Sequence, residues 1–505
     1  MSARPTPPRA ASVYFIGAGP GDAGLLTLRG AELLGRSDVV VHDARVHPDV
    51  LARGPAERLA VGEGTLVSRS EQIAEKLVAL ARGGKVVARV MGGDPYLFAS
   101  GDEEVAWVSR EGVPFEVVPG IVGSLAAGAY AGLPLSRRAD ASPSVALADA
   151  RAGLALHDWS LLACATDAIT VFVERADLEE LARTLVFHGR LPDTPAAVLV
   201  DVALPTQRVV TGSLEDIARI AAHVRDTPVR LVVGEVVRRR EPLRWFDARP
   251  LFGKRVLVTR AREQASSAAA LLRERGAEPI VLPTIELHPP PDPGAVESAI
   301  ARLGEYAWVA FTSANGVERA WDAIVRSGRD ARALGGARLA AIGPATASAL
   351  LAHGLRADVT AKEFKGEGLA AEMLGAMGAT PGAKVLILRA QEAREVLPDT
   401  LRAAGCHVDV VAVYETRAPS DAAAGLRALV EGGRLDAVLF TSSSTVDNLC
   451  DLVGEGVTKL LEPFRIASIG PVTTATARSR GLRVDVTAAE YTLPGLVRAL
   501  EASYA

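Results

Sequence analysis

The chain has 505 residues, of which 49% are hydrophobic, and this suffices for two or three domains with sizeable cores. Its 56 Lys and Arg residues nearly balance 60 Asp and Glu residues, so the composition gives no indication of a nucleic-acid partner. Three widely spaced cysteines and eight histidines without metal-ligand spacing predict no disulfide framework and no metal site.

Residues 1–12 are rich in Pro, Arg and Ala and are expected to form a disordered tail without an export signal. The following uncharged stretches are too short or too broken for a membrane span of about 20 residues, which predicts a cytoplasmic protein with no membrane partner. From residue 13, short β-branched runs such as VYFIG and DVVVHD alternate with Ala- and Leu-rich helical segments. This alternation is typical of α/β domains with mainly parallel sheets.

Four short motifs mark the ends of predicted strands in the N-terminal half. GAGPGD at 17–22 follows a strand, but Asp22 stands where a dinucleotide-binding motif needs its third glycine. GGDP at 92–95, PGI at 119–121 and QRVVTGSL at 207–214 come after it. In order and spacing, the four motifs resemble those of the tetrapyrrole methyltransferase family, and specifically of uroporphyrinogen-III C-methyltransferases, over residues 13–241.

This resemblance implies two α/β lobes with S-adenosylmethionine bound between them, largely by backbone groups. Glycines suit such a position because they let the backbone approach a ligand closely. Asp43, which ends VVVHD, corresponds to the family aspartate that accepts the proton lost after methyl transfer; alternatively, it caps the next turn. The residues that the resemblance places at the cofactor are Pro20, Gly92, Gly93, Asp94 and Leu97.

Several positions depart from the family pattern. Glu63 replaces an expected lysine, the loop expected to read GRGGEE is ASGDEE, and the usual TGH segment after residue 140 is absent. Three valines, Val122, Val173 and Val202, replace a hydroxyl residue, a methionine and a glycine, and are expected to obstruct the cofactor. Two alternatives to an active methyltransferase therefore stay open: a structural domain kept for homodimerisation or channelling, and a methyltransferase with another acceptor.

The segment RRREPLRWFDARPLFG at 238–253 interrupts the alternation of strands and helices. It combines charge and two prolines with no clean period. Residues 242–252 are therefore expected to link two enzymes, with a surface loop as the alternative.

After this segment the sequence repeats itself. RVLVTR at 255–260 returns as KVLILR at 384–389, and VAFTSANGVERA returns as VLFTSSSTVDNL. LAAIGPATASALL returns as IASIGPVTTATAR, and the copies end in EFKGEGLAAEM and EYTLPGLVRAL. Two copies are too few for a solenoid and predict a duplicated α/β lobe, with the two lobes facing each other across a cleft.

In both copies a predicted strand ends in a hydroxyl-rich turn that opens a helix. Helix N-termini bind carboxylates or phosphates because their N–H groups are free and the helix dipole is positive there. Each hydroxyl could instead serve only as an N-cap. The candidate substrate-binding residues are Thr312, Ser313, Asn315, Thr346, Thr441, Ser442, Ser443 and Thr473.

The ordered set RVLVTR, FTSANGV, IGPATASAL, VLILR, VYET, LFTSSSTV and IGPVTTA resembles uroporphyrinogen-III synthase over residues 253–505. The resemblance implies two flavodoxin-like lobes, lobe one at 253–285 plus 415–505 and lobe two at 286–414. It also implies that hydroxymethylbilane, with its eight carboxylates, is cyclised without a cofactor. Tyr414, in VAVYET, matches the tyrosine proposed to assist the departing hydroxyl; alternatively, it is a strand-end aromatic.

The two resemblances together predict a fused enzyme that makes uroporphyrinogen III and methylates it toward precorrin-2, on the route to sirohaem or cobalamin. A synthase with a structural N-terminal domain is one alternative. A non-catalytic tetrapyrrole-binding module is another, and it predicts binding without turnover.

Overall fold

The computed structural model describes residues 12–62, 65, 67–136, 144–224, 227–259, 262–378, 382–417, 419, 422–433 and 435–505. The predicted tail (apart from Ser12), Glu63 and the segment 137–143 lie outside the described residues. The chain divides into two compact units. The first takes in the described part of Met1–Arg255 with Leu271–Glu278 and Tyr504–Ala505, and the second takes in Val256–Ala270 and Pro279–Ser503.

The first unit begins with a five-stranded sheet whose recorded pairs are all parallel. Its strands are β1 (Val13–Gly17), β2 (Val39–Asp43), β3 (Arg58–Val61), β4 (Val87–Met91) and β5 (Phe115–Val118). The strand order is β3-β2-β4-β1-β5. Its helices are α1 (Leu28–Arg36), α2 (Pro48–Leu51), α3 (Ser70–Arg82), α4 (Gly101–Arg110) and α5 (Gly123–Ala131). The strands are nearly continuous apolar runs because helices cover both faces of a parallel sheet.

A second five-stranded sheet completes the first unit. Its strands are β6 (Val145–Asp149), β7 (Ala168–Val173), β8 (Pro195–Val200), β9 (Arg208–Ser213) and β10 (Val229–Val233), in the order β6-β7-β10-β8-β9. Its helices are α6 (Trp159–Ala165), α7 (Leu178–Phe187), α8 (Ile217–Ile220) and α9 (Arg240–Leu243). Among the pairs recorded for the described strands of this sheet, β6 with β7 is parallel and the other three are antiparallel, so the prediction of mainly parallel sheets is wrong for this lobe. A short connection joins β8 to β9, and short connections favour antiparallel neighbours.

Residues 242–252, predicted to be a linker, pack within the first unit. Phe246 is buried, and its ring meets that of Tyr130 with 4.7 Å between the centroids. Trp245 donates a hydrogen bond from Nε1 to the carbonyl of Ala129 at 2.9 Å. The prediction of a linker is wrong because a segment without a regular period can still fill a core with its aromatic residues.

The second unit is built on two further sheets. Its strands are β11 (Arg255–Val258), β12 (Glu278–Val281), β13 (Glu286–His288), β14 (Trp308–Phe311), β15 (Arg338–Ala341), β16 (Val359–Thr360), β17 (Lys384–Ala390), β18 (His407–Arg417), β19 (Ala437–Phe440), β20 (Arg465–Ser468) and β21 (Val486–Thr487). One sheet has the order β12-β11-β19-β20-β21, and the other β13-β18-β17-β14-β15-β16. The first of these sheets takes its strands from residues 255–281 and 437–487, and the second takes its strands from residues 286–417.

Helices connect these strands. They are α10 (Arg262–Glu274), α11 (Pro293–Ala301), α12 (Ala314–Arg326), α13 (Pro344–Ala352), α14 (Gly366–Met377), α15 (Val396–Ala403), α16 (Ala422–Glu431), α17 (Ser443–Val453), α18 (Val457–Leu461), α19 (Pro471–Ser479) and α20 (Leu493–Ala502). In the six-stranded sheet of the second unit, the recorded strand pairs are parallel except β13 with β18. The α/β fold class predicted from the sequence is confirmed.

The two copies of the sequence repeat in the second unit make equivalent local contacts. A β carbon on Gly368 would lie 2.3 Å from the carbonyl oxygen of Glu363, and one on Gly495 would lie 2.3 Å from that of Glu490. Asp358 accepts the N–H of Leu339 just as Asp485 accepts that of Ile466, at 2.7 and 2.9 Å. Residues that are identical in the two copies therefore have the same local geometry.

Within the described residues, no helix combines the length and the apolar character needed to cross a bilayer. The described side chains also include no group of three or more His, Cys, Asp or Glu placed to hold a metal ion. Cys164, Cys406 and Cys450 are free thiols, and burial raises the pKa of Cys406 and Cys450.

Candidate functional site

The glycine motifs of the first unit meet one another at the ends of β1, β4 and β5. A β carbon on Gly17 would lie 2.5 Å from the α carbon of Gly120, and one on Gly120 would lie 2.0 Å from the carbonyl oxygen of Gly93. Gly19 and Gly93 exchange two backbone hydrogen bonds, at 3.2 and 3.0 Å. The motifs need glycine because these turns touch backbone to backbone.

Replacing Gly120 with alanine is expected to separate these turns. A methyl group 2.0 Å from a backbone oxygen cannot be accommodated by a side-chain movement, so we expect a loss of about 1–3 kcal/mol in the free energy of unfolding. Gly35→Ala, on the exposed face of α1, is the matched control and should be neutral or slightly stabilising. Chemical denaturation of both variants measures the difference, and equal stability would contradict the close contact.

The same turns line a cavity of about 440 Å³ in the first unit. Asp43 lines it together with four of the residues predicted to hold the cofactor: Pro20, Gly92, Gly93 and Leu97. Asp94 is not among the lining residues. Its Oδ1 accepts the N–H of Tyr96 at 2.8 Å and its Oδ2 accepts the N–H of Gly120 at 2.9 Å. Its side chain therefore holds two turns together.

Asp43 belongs to a buried ion network. Its Oδ1 lies 2.7 Å from Nη1 of Arg89, and its Oδ2 accepts the N–H of Gly92 at 2.9 Å. Arg89, which is 1% exposed, forms a two-pronged pair with the fully buried Glu104 at 2.7 and 2.9 Å. These carboxylates raise the pKa of Arg89 despite the opposing effect of burial. The carboxylate of Asp43 thus positions the Gly92 turn and still faces the cavity.

The three valines that were expected to obstruct the cofactor lie in different places. Val122 lines the cavity, and its α carbon lies 3.8 Å from where a β carbon of Gly93 would be. Val173 is buried in the core of the second sheet, and Val202 is buried in a core that includes Tyr130. Of the three, Val122 alone is a lining residue, so the expected obstruction is limited to that position.

The cavity fits a ligand held by main-chain groups. At Gly92 the nearest atom to a would-be side chain is the Asp43 carboxylate oxygen, at 3.9 Å, so glycine leaves that space open. Gln207, of the QRVV motif, is buried; it donates to the carbonyl of Tyr130 and accepts the N–H of Ala203, at 3.1 and 3.0 Å. Through these two hydrogen bonds, Gln207 connects the loop between β8 and β9 to α5.

Among the lining residues that the sequence motifs missed are Arg151, Phe172 and Arg230. They lie on or beside β6, β7 and β10. Their only signal in the sequence is a pair of arginines next to strands that are otherwise apolar, and such a pattern does not show which side chains meet.

Lobe two of the second unit contains a cavity of about 470 Å³. Thr312 and Ser313, at the end of β14, line it together with Tyr414. The hydroxyl of Tyr414 lies 3.1 Å from Oγ of Ser313, which accepts the N–H of Gly316 at 2.9 Å. The pairing of β17 with β18 shifts register between Arg389 and Ala390, so that Tyr414 lies opposite Ala390, and such irregularities redirect side chains.

Several hydroxyl groups predicted to bind substrate are buried or hydrogen-bonded within their own turns. Ser313 and Ser442 are the N-caps of α12 and α17. Thr346 and Thr473 are buried in the first turns of α13 and α19, and Ser443 accepts a hydrogen bond from Thr476 at 2.9 Å. Among the described residues, the buried Oγ1 of Thr441 has no partner. Asn315 lies in the first turn of α12, outside the cavity lining.

Basic and aromatic side chains that were not predicted line the lobe-two cavity. They are Lys365, Arg389, Arg394 and Phe364, with Glu392 among them. Arg389 is buried; it donates to the carbonyl of Arg394 at 3.2 Å and pairs with Glu395. The ring of Phe364 lies over Gly343, where a β carbon would be 3.3 Å from it. Tyr491 lies over Gly470 in the same way. Each copy of the repeat therefore has an aromatic residue just before α14 or α20, and this repeated aromatic could have indicated Phe364 from the sequence.

Comparison with known proteins relates each half of the chain to a protein family. Residues 12–218 match the model of the tetrapyrrole (corrin/porphyrin) methylases. Residues 266–498 match that of uroporphyrinogen-III synthase HemD. The structure of uroporphyrin-III C-methyltransferase from Thermus thermophilus with S-adenosylhomocysteine is 36% identical, with a TM-score of 0.40, and covers 45% of this chain and 99% of that chain.

Two curated relatives differ in how much of the chain they match. Siroheme synthase 1 of Yersinia enterocolitica is 40% identical over 244 residues, 47% of this chain and 51% of that protein. The chain thus spans about half the length of this relative. The porphyrin biosynthesis protein HemD of Ruminiclostridium josui is 33% identical over 484 residues, 94% of each chain. The chain therefore belongs to this HemD family of tetrapyrrole biosynthesis, in which a tetrapyrrole methylase domain precedes a uroporphyrinogen-III synthase domain.

Proposed function

We propose that the second unit cyclises hydroxymethylbilane to uroporphyrinogen III with inversion of one ring. The observation that carries this proposal is Tyr414, whose hydroxyl is bonded to Ser313 in a cavity at the strand ends of lobe two. Loss of the substrate hydroxyl leaves an electrophilic azafulvene. The substituted carbon of the last ring attacks it, and the resulting spiro intermediate fragments and recloses. No cofactor is required, because the protein must mainly hold a flexible substrate in a reactive shape.

Tyr414 is suited to assist the departing hydroxyl. Ser313 accepts a backbone N–H, and its own proton is free to be donated to the phenol oxygen of Tyr414. In that arrangement the phenol proton of Tyr414 is available to the substrate oxygen as the C–O bond breaks. Donation from a positioned side chain to a leaving group is general acid catalysis.

The carboxylates of the substrate need donors that the cavity and the repeated turns supply. Helix α14 begins at the cavity without a side-chain N-cap, so its N-terminal amides are suited to bind an acid group. Lys365 and Arg389 add positive charge at the same place. We propose that the turns at Thr312 and Thr441 face each other across a cleft and share the substrate.

We also propose that the first unit binds S-adenosylmethionine and methylates carbon atoms of uroporphyrinogen III toward precorrin-2. The bound cofactor would supply an electrophilic methyl group on sulfur. Pro20, Gly92, Gly93 and Leu97 would hold it by backbone groups at the cavity, while Asp94 would keep the turns together. Asp43 faces the cavity and would accept the proton that the substrate carbon loses.

A second candidate is a synthase whose first unit has a structural role. Two features of the cavity favour it: Val122 narrows it beside Gly93, and the charged side chain of Arg230 lines it. Either could hinder the binding of a cofactor that itself carries a positive sulfonium.

Supplying the full chain with hydroxymethylbilane, with and without S-adenosylmethionine, distinguishes these readings. We expect type III product without cofactor and a methylated type III product with it, both identified by chromatography. Type I product alone, which forms by spontaneous closure, would reject the synthase proposal. Type III product that stays unmethylated would select the structural role for the first unit.

A further inference from the structure

Two arginines enclose one aromatic ring at the cavity of the first unit. The guanidinium carbon of Arg151 lies 4.2 Å from the ring centroid of Phe172, and that of Arg230 lies 4.4 Å from it. Phe172 is the Cα partner of Asp149 on β6 and of Arg230 on β10. Since cross-strand partners project from the same face of a sheet, these side chains form a single row. Arg151, Phe172 and Arg230 all line the cavity.

Positive charge exceeds negative charge in this row. Asp149 is the carboxylate of the group, and it is engaged by Arg151 at 2.9 Å through Nε and 2.5 Å through Nη2. Nε of Arg230 is buried and finds no hydrogen-bond partner in the described part of the chain. Burial and the charge of Arg151 lower the pKa of Arg230 to about 10. A guanidinium whose Nε is buried and unpartnered is costly unless an anion compensates its charge.

The start of α5 adds to this positive potential. A β carbon on Gly123, the first residue of α5, would lie 2.0 Å from Nη2 of Arg230, so the guanidinium rests directly against that turn. The N-cap residue, Val122, has no side chain that can accept a hydrogen bond. The positive end of a nine-residue helix and the guanidinium of Arg230 therefore lie together, and this place repels cations and attracts anions.

We propose that Arg151, Phe172 and Arg230 form a carboxylate-binding subsite in the cavity of the first unit, with Arg230 as its principal donor. The inference rests on the proposed methyltransferase function. Guanidinium groups bind carboxylates through two parallel N–H donors, and Phe172 keeps both planes fixed. Two ligands bring a carboxylate: the acidic side chains of the tetrapyrrole and the amino-acid part of the cofactor. The subsite would also explain why charged residues lie beside apolar strands here.

Replacing Arg230 with leucine tests the subsite in the full chain. Leucine removes a half-buried charge whose buried Nε has no hydrogen-bond partner in the described part of the chain, so we expect the variant to fold with a stability to denaturant close to that of the parent. Arg230→Gln is the second variant, which keeps a polar side chain without the charge. Arg183→Leu removes a charge from an exposed ion pair on α7 of the same unit and is the matched control.

Isothermal titration with three probes distinguishes the sources of the carboxylate. The probes are S-adenosylhomocysteine, methylthioadenosine (which lacks the amino-acid carboxylate) and uroporphyrin III as a stable polycarboxylate. We expect both Arg230 variants to lose tenfold or more in affinity for one carboxylate probe, with methylthioadenosine and the Arg183 control unchanged. Weaker S-adenosylhomocysteine binding assigns the subsite to the cofactor, and weaker uroporphyrin binding assigns it to the tetrapyrrole.

The titrations distinguish a failure of the proposed subsite from a failure of the proposed methyltransferase function. If the parent chain binds the carboxylate probes and both Arg230 variants bind them equally well, the subsite is overturned while the proposed function stands. A loss of methylthioadenosine affinity equal to that for S-adenosylhomocysteine would also overturn it, because the carboxylate would then not be the group recognised. A parent chain that binds none of the probes would overturn the subsite and the methyltransferase proposal together.

Discussion

Arg89→Met is expected to lower the free energy of unfolding of the first unit by about 3–5 kcal/mol, because it leaves a buried charge without its partner. Glu104 is fully buried and receives two hydrogen bonds from Arg89. Its remaining side-chain partner is the hydroxyl of Ser100, at 3.1 Å, which cannot neutralise the carboxylate. Denaturant titration of the full chain, followed by hydrogen exchange in β4, measures the loss where it arises.

The double variant Arg89→Met/Glu104→Gln provides the control. It removes both charges and keeps an acceptor for Ser100, so most of the lost stability should return. A double variant as unstable as the single one would show that packing, and not the unpaired carboxylate, causes the loss. Both variants should also bind S-adenosylhomocysteine less tightly, since Arg89 orients Asp43, which holds the N–H of Gly92.

Tyr414→Phe is expected to slow ring closure by tenfold or more, which corresponds to about 1.4 kcal/mol in the barrier. The variant removes one oxygen from the lobe-two cavity and leaves the ring in the core beside Val413. If the phenol proton assists the departing hydroxyl, kcat should fall more than KM rises, because substrate carboxylates are bound elsewhere. Stopped-flow consumption of hydroxymethylbilane, with the ratio of type III to type I product, measures the effect.

Tyr306→Phe is the matched control for this experiment. Its hydroxyl lies in the same lobe, outside the cavity lining, and donates a hydrogen bond to Asp409 at 2.6 Å. Burial, and to a smaller extent the carboxylate of Asp409, raises the pKa of Tyr306 to about 12. Its loss should affect stability and leave the rate of closure unchanged. A Tyr414→Phe chain that closes the ring at the parent rate would remove Tyr414 from the mechanism. A Tyr306 variant that is equally slow would point to a general effect on lobe two.

The duplication in the second unit could be predicted because both copies have the same short sequence patterns. Apolar runs followed by hydroxyl-rich turns predicted strands that end at helix N-termini, and Ser313 and Ser442 do cap such helices. The same local reasoning was wrong where the partners are distant. It predicted a linker at 242–252, which packs in the first unit, and mainly parallel pairing in a sheet that is mostly antiparallel.

Local chemistry along the chain was therefore determined by the sequence: which runs form strands, which turns require glycine, and which helices begin with a cap. The tertiary structure decided which side chains meet. Asp43, Arg89 and Glu104 come from two strands and a helix. Phe172 and Arg230 come from two strands, and Arg151 comes from the turn that follows a third. Such groups form only when a sheet assembles, because strand order and register bring distant residues into one row, and neither is encoded in a short stretch of sequence.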